Sequence, residues 1–325
     1  MSMHQLCGFR EFTTTGSHGQ SVAYSPFAPN LIACATGSNY GLSGNGFIYI
    51  LDNNESGITE VLKIDQRDNF YDICWSESEP NILASASGEG LIHIWNIGQK
   101  YPRVPVAEFK GHRKHEMSSV SWNLPKFSNL ILAASWDGTS SVYDPTNPGW
   151  PAIKIKTALD GYKTYQSVWS PHNPNTFLAA SSDGRLTLWD AQASSQEPQA
   201  VFHSPNSEVL TCDWGKYNNS IAISAGGDSM IYGWDLRNPA HPIFELQDHG
   251  QAVKRVKFSP FHPTIIASGS FDTTVRVHDF QASDGSIHIL NHHSEFVHGV
   301  DWNLHTPGEL VSCAWDQTVK IFKFA

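Results

Sequence analysis

The residues best suited to proton transfer in this 325-residue chain are histidines and aspartates: His112, His203, His249 and His293 on one side, Asp183, Asp228, Asp272 and Asp316 on the other. An imidazole beside a carboxylate can act as a general base, and with a hydroxyl in reach it can activate a nucleophile. Catalysis needs one such constellation, whereas this chain repeats it, so the pairs point to structure and no catalytic residue is expected. His292, His293, His298 and His305 raise the question of a metal. A metal site needs three or four convergent ligands, and no cysteine or carboxylate falls at tetrahedral-site spacing beside them. The glycine-rich run from Gly37 to Gly46 lacks G-x-x-x-x-G-K and a flanking helix, which argues against a phosphate cradle and for a loop lengthened over one face. Neither metal nor cofactor is expected.

The elements that carry these residues are strands, and the stretch from Phe244 to Phe280 shows the unit. Val253, Val256 and Phe258 form a β-rich run that Ser259-Pro260 and Pro263 break. Ile265 to Ser270 forms a second run, and a tight polar turn around Asp272 leads to a third, in which Val275, Val277 and Asp279 alternate. Third-strand endings recur at Leu51-Asp52, Trp95-Asn96, Tyr143-Asp144, Trp189-Asp190, Trp234-Asp235, His278-Asp279 and Phe322-Lys323, spaced by 44, 48, 46, 45, 44 and 44 residues. First-strand endings keep step at Tyr24, Trp75, Trp122, Trp169, Trp214, Phe258 and Trp302.

A period near 45 with an aromatic-Asp ending resembles the WD40 repeat. It implies an all-β, seven-bladed WD40 β-propeller with four-stranded blades around a channel. No linker interrupts the repeats, so residues 1–325 read as one domain. The last repeat supplies three strands, and Gly8 to Thr14 is predicted to add the missing outer one, because an unpaired edge would otherwise be exposed. In repeats of this kind a histidine ahead of strand one, a Ser or Thr of strand two, the turn Asp and the Trp of strand three form a buried hydrogen-bonded tetrad, the role expected for the His/Asp pairs.

Composition narrows the partners. Lys+Arg 21 against Asp+Glu 31 gives a net charge of −10, which disfavours nucleic acid and anionic membrane surfaces and favours basic partners. The five cysteines are scattered, with no C-x-x-C, as suits a reducing compartment. MSMHQLCGFREF has no apolar leader core and no stretch is long enough to span a membrane, so a cytosolic chain without membrane insertion is expected.

Binding is expected on the face built by the turns ahead of strand one and between strands two and three. Of the residues preceding the turn acids, Gly88, Trp136, Ser182, Gly227, Phe271 and Trp315, three are large aromatics with little core to fill in a polar turn. Strand-one positions add Asn69, Tyr71, Glu116, Ser118, Lys163, Tyr165, Glu208 and Leu210. Blade two carries a cluster of carboxylates, Asp65, Asp68 and Asp72, and has Glu89 in place of a turn Asp. Aromatics beside carboxylates suit an amphipathic basic helix, its apolar side chains on the rings and Arg on the acids.

Several runs go beyond what the repeat requires: Gly233 to Asn238 (GWDLRN), Arg255 to His262 (RVKFSPFH), Leu31 to Thr36, Cys212 to Asn218 and Cys313 to Ile321. In these the chain resembles the family of receptors for type 2 peroxisomal targeting signals, over essentially all seven repeats. The resemblance implies a receptor that binds newly made, thiolase-like matrix enzymes in the cytosol through an N-terminal nonapeptide beginning with Arg and carrying a later His-Leu-type pair. It also implies a co-receptor that closes over the helical signal, an organelle docking complex, and cycling between cytosol and a peroxisome or a relative such as the glycosome. On this resemblance Asp68 and Glu116 face the signal's Arg, Tyr71, Trp136, Tyr165 and Trp315 line its apolar side, and Glu208 joins the same face. In blade three Met117 and the run Arg113-Lys114-His115 depart from the family's usual pattern. A WD40 scaffold or substrate adaptor in a multiprotein complex is the alternative, distinguished by indifference to the signal's Arg.

Overall fold

A computed structural model describes residues 6–99, 104–111, 115–124, 126–147, 152–194, 197–204, 207–282 and 286–324. Its strands form seven antiparallel sheets of four, arranged as the blades of a propeller. Blade one comprises His18–Tyr24, Leu31–Gly37, Gly46–Asn54 and Gly57–Gln66, and blade six comprises Val253–Phe258, Ile265–Ser270, Val275–Asp279 and Ser286–Leu290. Second strands such as Ile82–Ser87 and Ile265–Ser270 are buried along nearly their whole length, which explains runs of Ile, Leu, Ala and Ser instead of alternating polarity. Apolar clusters lie between blades. Ile48 and Ile50 of blade one pack with Trp75 and Trp95 of blade two, and Leu186 and Phe202 of blade four pack with Trp214 of blade five.

Three of the tryptophans that end the first strands fasten neighbours together. Trp75 Nε1 donates to the Ala23 carbonyl at 3.1 Å, Trp214 Nε1 to that of Val168 at 3.1 Å and Trp302 Nε1 to that of Lys257 at 3.2 Å, each in the preceding blade. Each indole thus buries its apolar body and satisfies its one donor.

The ring closes as expected from its edges. Leu6–Thr13 pairs with Thr318–Phe324 as the outer strand of blade seven, with Phe9 opposite Phe322 and Thr13 opposite Thr318. Arg10 Nη1 donates to Asn53 Oδ1 at 2.6 Å and to the Asn54 carbonyl, tying this strand to blade one.

The His/Asp pairs of blades six and seven form buried networks of the expected kind, a tetrad in blade six with His278 in the Trp place and a triad in blade seven, where that place holds Phe322. His249 Nδ1 lies 2.9 Å from Asp272 Oδ2 and its Nε2 lies 2.7 Å from Ser268 Oγ. Those are the contacts of a catalytic triad, yet Ser268 is fully buried and its Oγ also meets His278 Nε2 at 2.8 Å. No substrate reaches that hydroxyl. In blade seven His293 bridges Asp316 and Ser312 at 2.8 Å each, so this histidine is committed to the blade's own buried network. His278 does the work of the strand-three tryptophans, since Trp95 and Trp234 donate to Ser85 and Ser224 at 2.9 and 2.8 Å.

The tetrad does not extend to every blade. His203 is exposed, and Asp228 instead accepts from Ser204 Oγ at 3.2 Å and from Tyr232 at 2.9 Å. Asp183 pairs with Arg185 at 2.6 Å. His112 lies outside the described residues.

Candidate functional site

One backbone feature builds the site. In every blade the ladder between strands one and two slips by one residue near its start, after Gly19, Phe70, Met117, Thr164, Val209, Val253 and Val297. A β-bulge re-aims the extra side chain. The residues so released, Gln20, Tyr71, Ser118, Tyr165, Leu210, Lys254 and His298, all line one funnel of about 190 Å³ at the mouth of the channel. The bulge makes a ring of seven positions, one per blade.

Aromatic side chains wall this funnel. Tyr71 packs on Trp136 with ring centres 5.7 Å apart, and Lys163 Nζ lies 3.8 Å above the Trp136 ring. Trp315 stacks on His298 at 4.5 Å, and Phe271 stacks on the same imidazole at 5.3 Å. Trp136, Tyr71, Tyr165 and Trp315, the aromatics singled out from sequence, thus border the same funnel. Glu208 is drawn in by Tyr165, whose hydroxyl donates to Oε2 at 2.7 Å.

Blade one adds a wall that sequence reading foresaw only as a long loop. Ser38 binds the Asn45 carbonyl through its amide at 2.9 Å and its hydroxyl at 2.7 Å, closing the base of the loop. At its tip Asn39 and Tyr40 adopt positive φ of 45° and 60°, which side chains other than glycine rarely take. Tyr40 stacks on His18 at 4.1 Å and meets Trp315 edge-on at 5.3 Å, while Tyr71 donates to the Gly41 carbonyl at 2.8 Å. These contacts place Leu42, 85% exposed, against the funnel.

The acids occupy the rim at blades two and three. Asp68 is half-buried and its carboxyl is held above the ordinary range by burial and by the charges of Glu89 and Glu116. A Cβ at position 88 would lie 2.6 Å from Asp68 Oδ2, so Gly88 makes room for that carboxylate. Glu116 is also half-buried, and both acids therefore sit deeper than the open turns expected from sequence. Burial and the nearby Glu116 and Asp68 push the Tyr71 hydroxyl up to about 12. Among the described residues neither Asp68 nor Glu116 has an ion-pair partner. Asp72, grouped with them in sequence, is instead in the channel wall. It pairs with Arg255 of blade six at 3.0 Å and accepts from Ser21 at 2.6 Å and from the Val120 amide at 3.0 Å.

Of the opposite arc, sequence named only His298, and that as a candidate metal ligand. Gln20 Nε2 and both ring nitrogens of His298 are buried without a protein partner among the described residues, as are the indole nitrogens of Trp136 and Trp315. A buried polar group left unpaired costs about 1–3 kcal/mol. Burial and the adjacent Arg255 pull the Lys254 ammonium down to about 8, and burial with Lys254 and Arg255 keeps His298 neutral.

Comparison with known proteins follows this geometry closely. The "WD domain, G-beta repeat" family matches at residues 103–144, 154–190, 240–279 and 284–323, which fall in blades three, four, six and seven. The peroxisomal targeting signal 2 receptor of Mus musculus is 36% identical over 96% of this chain and 96% of its own length. That of Homo sapiens is 37% identical over 92% and 90%, and that of Saccharomyces cerevisiae 32% over 93% and 96%. The chain belongs to the peroxisomal targeting signal 2 receptor family. In this receptor-family chain, the matched blades carry the two described His-Asp-Ser networks. The acid-bearing turn of blade two and the loop of blade one lie outside the matched segments, whereas Glu116, Trp136, Tyr165, Lys254, His298 and Trp315 lie inside them.

Proposed function

We propose that this chain is an import receptor that binds the N-terminal type 2 peroxisomal targeting signal of matrix enzymes in the cytosol and delivers them to the peroxisome. The observation that carries the reading is the acidic rim of Asp68, Glu89 and Glu116 beside an aromatic funnel, in a chain whose relatives are named for this signal. A cationic helix seated there places its Arg against Asp68 and Glu116 and its apolar side chains on Tyr71, Trp136, Tyr165 and Trp315. Glu208, already bound to Tyr165, orients that ring. Charge-assisted contacts to half-buried carboxylates are among the stronger hydrogen bonds.

Ordering a short peptide costs entropy, so the signal alone binds weakly. A co-receptor that covers the exposed Leu42 and the aromatic face strengthens binding, and the covered complex engages the organelle's docking machinery. Residues 1–325 act as one propeller domain in this scheme. The test is fluorescence anisotropy of a labelled type 2 signal peptide and its Arg→Ala variant, with and without cytosolic extract as a source of co-receptor. Binding that needs the Arg and tightens with extract supports the receptor. No binding by the folded protein in either condition overturns it in favour of a scaffold that recognises other peptides.

A further inference from the structure

The ring of bulged residues is polarised. Across the funnel from the acids stand Lys254, His298 and Gln20, contributed in order by blades six, seven and one. Gln20 is 4% exposed and His298 6%, and neither Gln20 Nε2 nor either imidazole nitrogen of His298 has a protein partner among the described residues. The His298 ring stacks on both Trp315 and Phe271, contacts that hold its plane where it lines the funnel. Lys254 and Arg255 line the same wall, but Arg255 is committed to Asp72 across the channel, which leaves Lys254 as the cation facing the funnel.

We infer that Gln20, Lys254 and His298 form a second subsite on this face, which takes an uncharged or acidic hydrogen-bonding side chain of the bound helix and rejects a cation. The inference rests on the receptor reading above and deepens it. The amide of Gln20 offers a donor, and a neutral imidazole offers one donor and one acceptor, so the occupant must present at least one acceptor. Lys254 repels a Lys or Arg at that place, whereas the rim of blades two and three attracts one. The two subsites give the funnel a direction. A helix with its cationic residue over Asp68 and Glu116 can satisfy Gln20 and His298 only in one orientation. Leu42 and Tyr40 bound the second subsite from the side, which makes the blade-one loop part of it.

The test uses the full chain and a labelled type 2 signal peptide scanned position by position to Ala and to Lys. Binding is measured by anisotropy to wild type, Gln20→Leu, His298→Phe and Lys254→Met, each checked for an unchanged melting temperature. Gln20→Leu and His298→Phe are expected to weaken the parent peptide roughly tenfold, the worth of one hydrogen bond to a buried group. That loss disappears when one polar peptide position, distinct from the Arg, is already Ala, and Lys254→Met lets the same position tolerate Lys. Arg-dependent binding by wild type with variants within about twofold of it overturns the second subsite and leaves the receptor reading standing. So does a loss that is equal for every peptide in the scan. Absence of Arg-dependent binding to folded wild type, both with and without cytosolic extract as a source of co-receptor, overturns both. The tenfold criterion corresponds to about 1.4 kcal/mol.

Discussion

Blades six and seven spend their acids inward, and blades two and three turn theirs to the face. Asp272 and Asp316 each accept a histidine, a threonine hydroxyl and a backbone amide, and hydrogen bonding to the charged form drives both carboxyls below their ordinary range against the opposing effect of burial, Asp316 to about 2. Asp68 has no cation among the described residues and is displaced upward by burial and by its acidic neighbours. One residue type thus serves two ends, and the direction of its pKa shift separates them. A carboxylate stabilised by its own blade is structural, whereas one held at an electrostatic disadvantage has something to gain from a cationic ligand.

The largest expected effect removes the closure on which both regions depend. Deleting residues 1–13 strips the outer strand from blade seven and the Arg10 bonds to blade one. We expect a loss of several kcal/mol, as for a broken edge pairing with its apolar contacts, seen as a lower melting temperature. An unchanged melting temperature contradicts the closure. Asp272→Ala comes next. It leaves the buried His249 without its carboxylate and orphans the Gly250 amide, and is expected to cost about 3 kcal/mol. Asp68→Ala and Glu116→Ala should instead leave the melting temperature within a degree or two and weaken signal binding about tenfold each. Equal destabilisation by all three would erase the distinction drawn above.

Acid sharpens the same comparison. His278 is held down to about 4, chiefly by burial and then by the charge of His249. An unfolded histidine takes up its proton near pH 6.5, so this stabilisation is complete above that pH and is lost as pH falls from about 6.5 to about 4, about 3 kcal/mol in all. Asp316 adds a smaller loss as pH falls from about 4 to about 2. His278→Trp, which restores the donor used by Trp95 and Trp234, should flatten the upper part of this limb in a denaturation series against pH. The upward displacement of Asp68 acts on binding. Affinity for the signal should begin to fall at a pH above the ordinary carboxylate range, and Asp68→Asn should remove that inflection.

The fold was legible because two markers keep step through all seven repeats, the first-strand one aromatic in each, and Trp75, Trp214 and Trp302 are where neighbouring blades fasten. The aromatic half of the funnel was legible for a related reason: large rings in polar turns have no core to fill. Gln20, Lys254 and His298 were not, although they occupy the same position in their blades as Tyr71 and Tyr165. Polar residues on an exposed-looking strand carry no signal until the bulge that turns them inward is seen, and that bulge is a backbone event. Asp72 shows the converse. Four residues from Asp68 it looks like one more rim acid, but strand alternation sends it into the channel wall and onto Arg255.

The central claim is that Asp68 and Glu116 meet the signal's Arg, and a double-mutant cycle tests it most directly. Affinities are measured for wild type, Asp68→Asn and Glu116→Gln against the signal peptide and its Arg→Ala variant. The account predicts that each substitution weakens the parent peptide about tenfold and has little further effect once the Arg is gone, a coupling of at least 1 kcal/mol. Losses that simply add, with no coupling at either acid, would contradict it.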